Sequence, residues 1–244
     1  MTKYFFDKKA ANKAIGFIET FITHTKGELT NKPLKLEKWQ SKIVGDIFGW
    51  KDKKTNLRKY RTVFIEVPRK NGKSTLCAAI GLYMLFGDEE RGSEVYSAAG
   101  DRSQAGIVFE IAKGMVMQNP ELSNRAKVFR NSIVNEMKGN FYQAISSDSK
   151  TKHGFNANCI IFDELHTQPN RDLWDTLTTS VGSRRQPLLI AITTAGYDKN
   201  SICYEIYSYA KKVSDGVIND DTFYSVIYEA DNDDDITLEK TLIK

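Results

Sequence analysis

Residues 63–74 read VFIEVPRKNGKS. Val63, Phe64, Ile65 and Val67 are strand formers, and Pro68 closes the strand. A basic loop follows, Arg69-Lys70-Asn71, then Gly72-Lys73-Ser74, then a helical pattern over residues 75–86. Strand, loop and helix in this order suit a loop that wraps a polyphosphate. Its backbone N–H groups and the helix N-terminus face the anion. In that reading Lys73 reaches the β- and γ-phosphates, the Ser74 hydroxyl ligates Mg²⁺, and Thr75 opens the helix behind them. The full pattern is G-x-x-x-x-G-K-[ST], and Val67 stands where its first glycine belongs. Gly-Lys-Ser alone also fits a surface turn before a helix. The apolar strand ending and the helix beginning at the right places favour the phosphate loop, and Arg69 and Lys70 add charge suited to a triphosphate.

About 90 residues downstream, residues 158–162 form a second apolar strand that runs into Asp163-Glu164. Adjacent side chains at a strand end point different ways. One carboxylate can therefore serve a metal and the other orient and deprotonate an attacking water. A strand followed by an acidic helix cap is the plainer reading, and the upstream Gly-Lys-Ser tips the balance. A third apolar strand, residues 187–193, ends in Thr193-Thr194-Ala195-Gly196. Its hydroxyls would lie beside the γ-phosphate in a parallel sheet, because ligands sit at the carboxyl ends of such strands.

Helices are expected over residues 7–23, 34–48, 101–118, 170–181 and 202–213. Further strands are expected over 94–98, 127–129, 132–136, 141–146 and 222–228, and a basic loop over 51–61. Trp39 reads as a core residue. Gln40, without a ligand, reads as a solvated helix position. The alternation of strand and helix predicts an α/β fold with a central, mostly parallel sheet flanked by helices.

The 244 residues are 41% hydrophobic and 27% charged, a globular composition with net charge +4. The charge is unevenly spread. Residues 1–75 hold 18 Lys/Arg against 7 Asp/Glu, a net of +11, and residues 214–244 hold 2 Lys against 9 acids, a net of −7. A basic front suits an anionic partner, and an acidic tail suits a solvated linker. Three dispersed cysteines, without C-x-x-C or Cys/His spacing, predict a reduced intracellular protein. The N-terminus lacks the apolar core of a signal peptide, and no apolar run approaches the ~18 residues of a membrane span.

An ordered set of segments resembles the ATPase half of the large terminase subunit of tailed, double-stranded DNA bacteriophages. Leu34-x-x-x-x-Trp39-Gln40 resembles the adenine-side motif, and residues 67–74 the variant phosphate loop with its early basic residue. Residues 98–105, AAGDRSQA, resemble the segment after the second strand. His153-Gly-Phe-Asn156 and Ile160-Ile-Phe-Asp-Glu-Leu-His166 resemble the Walker B approach, and residues 193–196 the coupling motif. The resemblance covers residues 30–230.

It implies a RecA-like P-loop ATPase of the additional-strand type that couples ATP hydrolysis to translocation of double-stranded DNA into a procapsid. The implied cofactors are ATP and Mg²⁺. Gln40 would contact adenine, and Arg69, Lys70, Asn71, Gly72, Lys73, Ser74 and Thr75 would hold phosphates. Ser74 and Asp163 would hold the metal, Glu164 would be the general base, and Thr193 and Thr194 would couple hydrolysis to motion. A trans-acting arginine often precedes the Walker B strand. Here Lys152 occupies that region, with Arg125, Arg130 and Arg102 as further candidates. The implied partners are double-stranded DNA held by its backbone, the portal protein, the small terminase subunit and further copies in a pentameric ring, with no membrane. The expected location is the host cytoplasm, on the procapsid. The expected domain spans 1–230, with a helical N-terminal part over 1–60 and the start of an acidic linker over 231–244. A C-terminal nuclease domain is expected to be absent.

Two other readings fit some of the same residues. Asp163-Glu-Leu-His166 is also D-E-x-H, as in superfamily 2 helicase-like translocases, although the phosphate loop lacks their Gly-x-Gly-Lys-Thr form. An assembly module that binds ATP with little turnover alone would share every motif. A nucleic-acid-binding module without ATP chemistry would fail to bind nucleotide.

Overall fold

Leu188–Thr193 and Cys159–Asp163 are buried along their whole length. Continuous apolar runs of this kind belong to strands covered on both faces. In the computed structural model, which describes residues 2–100, 102–146, 154–196 and 198–229, they lie side by side in the centre of a sheet. The elements run β1 (Tyr4–Phe6), α1 (Lys8–Phe21), α2 (Lys38–Gly49), β2 (Trp50–Asp52), β3 (Thr62–Glu66), α3 (Lys73–Leu82), β4 (Glu94–Ala99), α4 (Arg102–Gln118) and α5 (Pro120–Ser123). There follow β5 (Lys127–Val128), β6 (Ser132–Asn135), β7 (Asn140–Ser146), β8 (Cys159–Asp163), a 3₁₀ turn (Leu165–Thr167), α6 (Asp172–Thr179), β9 (Leu188–Thr193), α7 (Ile202–Ser214) and β10 (Phe223–Ile227).

The main sheet has the order β10-β3-β9-β8-β4-β7-β6-β5. Every pair from β10 to β7 is parallel, and β6 and β5 add an antiparallel edge. Alternate residues of each strand feed two cores. Val63 and Ile65 pack with α1 to α4 on one face, while Phe64 packs with α6 and α7 on the other. The register sets Glu66 beside Thr193 and Asp163 beside Ile192. The carboxyl ends of β3, β9 and β8 therefore finish level, and the loops that leave them meet.

The N-terminal part differs from the helical expectation for residues 1–60. β1 and β2 form a separate antiparallel pair, Tyr4 opposite Asp52, so the expected basic loop begins one element later. The pair is held by aromatic contacts: Phe6 meets Trp50 edge-on at 5.4 Å, and the Lys59 ammonium lies over the rings of Tyr4, Trp50 and Tyr60. Strands of three residues carry no periodicity to read, and their stability comes from these cross-strand contacts. α2 starts at Lys38 rather than 34, because Glu37 caps it in a reciprocal capping box with Gln40. α3 starts at Lys73, two residues early, and its end widens into a π-helical turn at Tyr83–Gly87. α6 is trimmed to Asp172–Thr179 at both ends.

Candidate functional site

The loop after β3 is drawn tight by its own polar groups. Val67 N–H donates to the Thr193 carbonyl at 3.1 Å, which carries the β3–β9 pairing one residue further. The Asn71 amide donates back to the carbonyls of Pro68 (3.1 Å) and Arg69 (3.4 Å). Lys70 and Gly72 take left-handed backbone, φ 69° and 71°. For Gly72 that costs little; for Lys70 it is strain of about 1 kcal/mol or more, held by the closed loop. Gly72 then turns directly into α3, whose first turn has no side-chain cap and no acidic residue. The N–H groups at that helix end are open to an anion. Arg69, Lys70 and Asn71 are exposed at the loop's rim, whereas Lys73 is buried.

Opposite α3, the end of β8 presents its two carboxylates in different directions. Asp163 faces α3, and the Ser74 hydroxyl donates to its Oδ2 at 2.8 Å. Burial pushes the Asp163 carboxyl above its usual range, against the Ser74 hydrogen bond, which pulls it down. Its second oxygen, Oδ1, is buried without a hydrogen-bond partner. The neighbouring Cys77 thiol is pushed well up, first by burial and then by the Asp163 charge. An orphaned carboxylate oxygen beside a serine hydroxyl is an oxygen donor set suited to a hard divalent cation that also keeps waters and phosphate oxygens. The residues present thus fit Mg²⁺. Among the described residues no cluster of three or more His, Cys, Asp or Glu forms a protein-only metal cage.

Glu164 leaves the strand with φ 51°, the left-handed region. That turn brings its carboxylate across to Lys73, with Nζ 3.6 Å from Oε1. Its other oxygen lies 3.3 Å from His166 Nδ1 and 3.5 Å from the Thr194 hydroxyl. Thr193 and Thr194 come from the end of β9 and are both buried. Three chain segments far apart in sequence therefore converge on one carboxylate.

A cleft of about 510 Å³ adjoins the phosphate loop, lined among others by His24, Leu34, Trp39, Gln40, Gly72 and Thr75. Gln40 is buried rather than solvated. Its Oε1 accepts from Glu37 N–H at 3.0 Å, and its Nε2 sits 3.5 Å from where a Cβ on Gly72 would stand. Trp39 is half-buried and meets Tyr228 edge-on at 6.0 Å.

Gln40, Lys70, Asn71, Gly72 and Thr75 thus line the cleft, while Lys73, Ser74, Asp163, Glu164 and Thr194 are linked side chain to side chain behind it, with Thr193 buried beside them. Lys152 lies outside the described residues, as does the expected acidic linker over 231–244. Arg125, paired to Glu121 at 3.2 Å, and Arg130, between β5 and β6, sit at the antiparallel edge, which β4 and β7 separate from β8. Arg102 opens α4, at the carboxyl end of β4. His166, which sequence reading placed in the Asp163-Glu-Leu-His166 segment without a role, contacts both Glu164 and Thr193.

The family model for the terminase large subunit ATPase domain matches residues 38–212. The chain is 30% identical over 231 residues to the terminase large subunit of Enterobacteria phage HK97, covering 92% of this chain and 44% of that protein. The crystal structure of the HK97 large terminase superposes with a TM-score of 0.80 at 27% identity, over 94% of this chain and 46% of that one. The large terminase ATPase domain of Thermus phage P74-26 shares the fold, with a TM-score of 0.55 at 19% identity over 72% of this chain and 78% of that one. The chain thus spans a little under half the length of the HK97 protein. These matches favour the terminase reading over the superfamily 2 translocase, and no helix among the described residues is long and apolar enough to cross a membrane. The chain belongs to the terminase large subunit ATPase domain family.

Proposed function

We propose that this domain hydrolyses ATP at the junction of α3, β8 and β9, and that the turnover drives double-stranded DNA into a procapsid. The observation that carries the site is the double pairing of neighbours with neighbours: Ser74 with Asp163, and Lys73 with Glu164. The loop N–H groups and Lys73 bind the β- and γ-phosphates, with Arg69, Lys70, Asn71 and Thr75 around them. The incoming γ-phosphate draws Lys73 from Glu164 and frees that carboxylate to orient and deprotonate the attacking water. Ser74 and Asp163 hold Mg²⁺, which when bound offsets charge on the phosphate oxygens. Gln40 Nε2 faces the base in the cleft beside Trp39. Thr193 and Thr194 sense the state of Glu164 and couple it to β9. Lys152 is the proposed trans-acting cation.

DNA is held through its phosphates without base readout, so binding weakens with salt. The portal protein, the small terminase subunit and four further copies in a ring complete the proposed motor in the host cytoplasm. Residues 1–230 make up the proposed domain, with 231–244 as linker.

Turnover measured across protein concentration, beside Lys73→Ala and Glu164→Gln, tests this reading. Loss of hydrolysis in both, with nucleotide still bound by the Gln variant, supports the roles. A steep rise with concentration supports a shared site. Binding without turnover at any concentration would favour the assembly-module reading, and failure to bind nucleotide with Mg²⁺ would end the proposal.

A further inference from the structure

His166 sits between the proposed base and the end of β9, and the direction of its hydrogen bonds follows from counting protons. Its Nδ1 lies 2.9 Å from Thr193 Oγ1 and 3.3 Å from Glu164 Oε2. The Thr193 hydroxyl has one proton, and it goes to the Thr194 carbonyl at 2.9 Å. Toward His166 the Thr193 oxygen is therefore an acceptor. Cys203 Sγ adds a second weak donor to the same oxygen at 3.8 Å. The shared proton between imidazole and threonine then sits on Nδ1 and is donated to Thr193, while Glu164 Oε2 lies beside the same nitrogen at ion-pair distance.

The imidazole is held in place by backbone. The Glu164 carbonyl accepts from both the N–H and the hydroxyl of Thr167, each at 2.8 Å, which closes the 3₁₀ turn around His166. A Cβ on Gly196 would stand 3.2 Å from His166 Cβ, and a Cβ on Gly100 would collide with the Thr167 carbonyl. The turn is thus clamped between two glycines, one from each neighbouring strand end.

We propose that His166 is the positioning residue of Glu164: its Nδ1, anchored by the hydrogen bond to Thr193, holds Glu164 Oε2 at 3.3 Å on the side away from Lys73. The inference rests on Glu164 acting as the base. When the γ-phosphate takes Lys73, the carboxylate loses its ion pair on Oε1, and the contact with the imidazole keeps Oε2 in place. Glu164 then retains one fixed oxygen and presents the other to the attacking water. Because the same nitrogen bonds Thr193, a shift of β9 reaches the base through the imidazole ring.

The chemistry separates His166→Asn from His166→Gln. The asparagine amide reaches the place of Nδ1, and the glutamine amide reaches toward Nε2. In the full ATPase assay, His166→Ala should lower kcat on the order of 10²-fold, the cost of a misplaced catalytic group, with the KM for ATP nearly unchanged. Asn should restore most of kcat, and Gln should not. In a Glu164→Gln background, His166→Ala should cost nothing further, because the two act as one unit. Wild-type kcat in the Ala variant, or equal loss in the soluble Asn and Gln variants, would overturn the inference. If Glu164→Gln itself retains turnover, the base assignment fails instead.

Discussion

Ser74 Oγ lies 2.8 Å from Asp163 Oδ2, although 89 residues separate them in the chain. The bond is possible because α3 begins immediately after Gly72 and β8 ends level with β3 and β9. It leaves Asp163 Oδ1 as the one oxygen of this pair that is buried and unpartnered. Ser74→Ala removes the donor and orphans the second oxygen as well. The expected result is loss of Mg²⁺-dependent turnover by on the order of 10²-fold, as for other groups that stabilise transition-state charge. Titration of activity against Mg²⁺ should show a higher requirement, and an unchanged requirement would remove Ser74 from the metal site.

Glu164→Gln keeps shape and loses the charge that pairs with Lys73. Nucleotide binding should persist or tighten, because Lys73 no longer has to leave an ion pair at 3.6 Å. Hydrolysis should fall by on the order of 10²-fold or more, since general-base catalysis contributes about that much. Fluorescent-nucleotide titration beside phosphate release separates the two effects.

Gly72→Ala places a Cβ on backbone with φ 71° and 3.5 Å from Gln40 Nε2. Left-handed backbone costs a non-glycine residue about 1 kcal/mol. A modest drop in melting temperature should accompany a larger loss of nucleotide affinity, because the strained residue joins the loop to the helix end whose N–H groups face the phosphates. Equal affinity in wild type and variant would separate the cleft from the nucleotide.

Glu66 ends β3 on the α7 face, 5% exposed. Burial first, then the Glu229 carboxylate, pushes its pKa up to about 6 from 4.5, with Lys211 opposing. A raised acid binds more protons folded than unfolded between those values, so stability falls as pH rises from 4.5 to 6. Glu66→Gln removes that penalty. The variant should be more stable by about 2 kcal/mol at pH 7.5, the energy of 1.5 pKa units, and little changed at pH 4. Denaturant unfolding at the two pH values measures the difference.

Burial rather than distance should rank the ion pairs. Arg58 and Asp88 are both buried, 3.5 Å apart, and Arg58 also lies over the Phe48 ring at 5.4 Å. Lys127 and Glu136 are closer, 2.8 Å, but more than half exposed. Asp88→Ala strands a buried guanidinium and should cost about 3 kcal/mol or more, whereas Glu136→Ala should cost less than about 1 kcal/mol. Comparable losses in the two unfolding curves would contradict this.

The local order of motifs was legible because each is a short, contiguous stretch. An apolar run followed by Gly-Lys-Ser, or by Asp-Glu, carries its strand end and its chemistry together. The parallel central strands were legible for the same reason, since β8 and β9 are apolar up to their last residue. Gln40 shows where such reading stops. Its helix position looks solvated, and it is buried because the phosphate loop folds back over α2. The three-residue strands β1 and β2 were equally invisible, because their partners lie 44 to 48 residues apart and their stability comes from aromatic contacts.

Residue types and their spacing along the chain were enough for the α/β alternation, the phosphate loop and the two carboxylates, because backbone propensity and burial act over a few residues. The pairing of Ser74 with Asp163, the left-handed turn at Glu164 and the seat of His166 between Glu164 and Thr193 came only with the packed sheet. Each depends on three strand ends finishing level, and that register is set by side chains interlocking across the two cores. No local stretch of the chain contains that information.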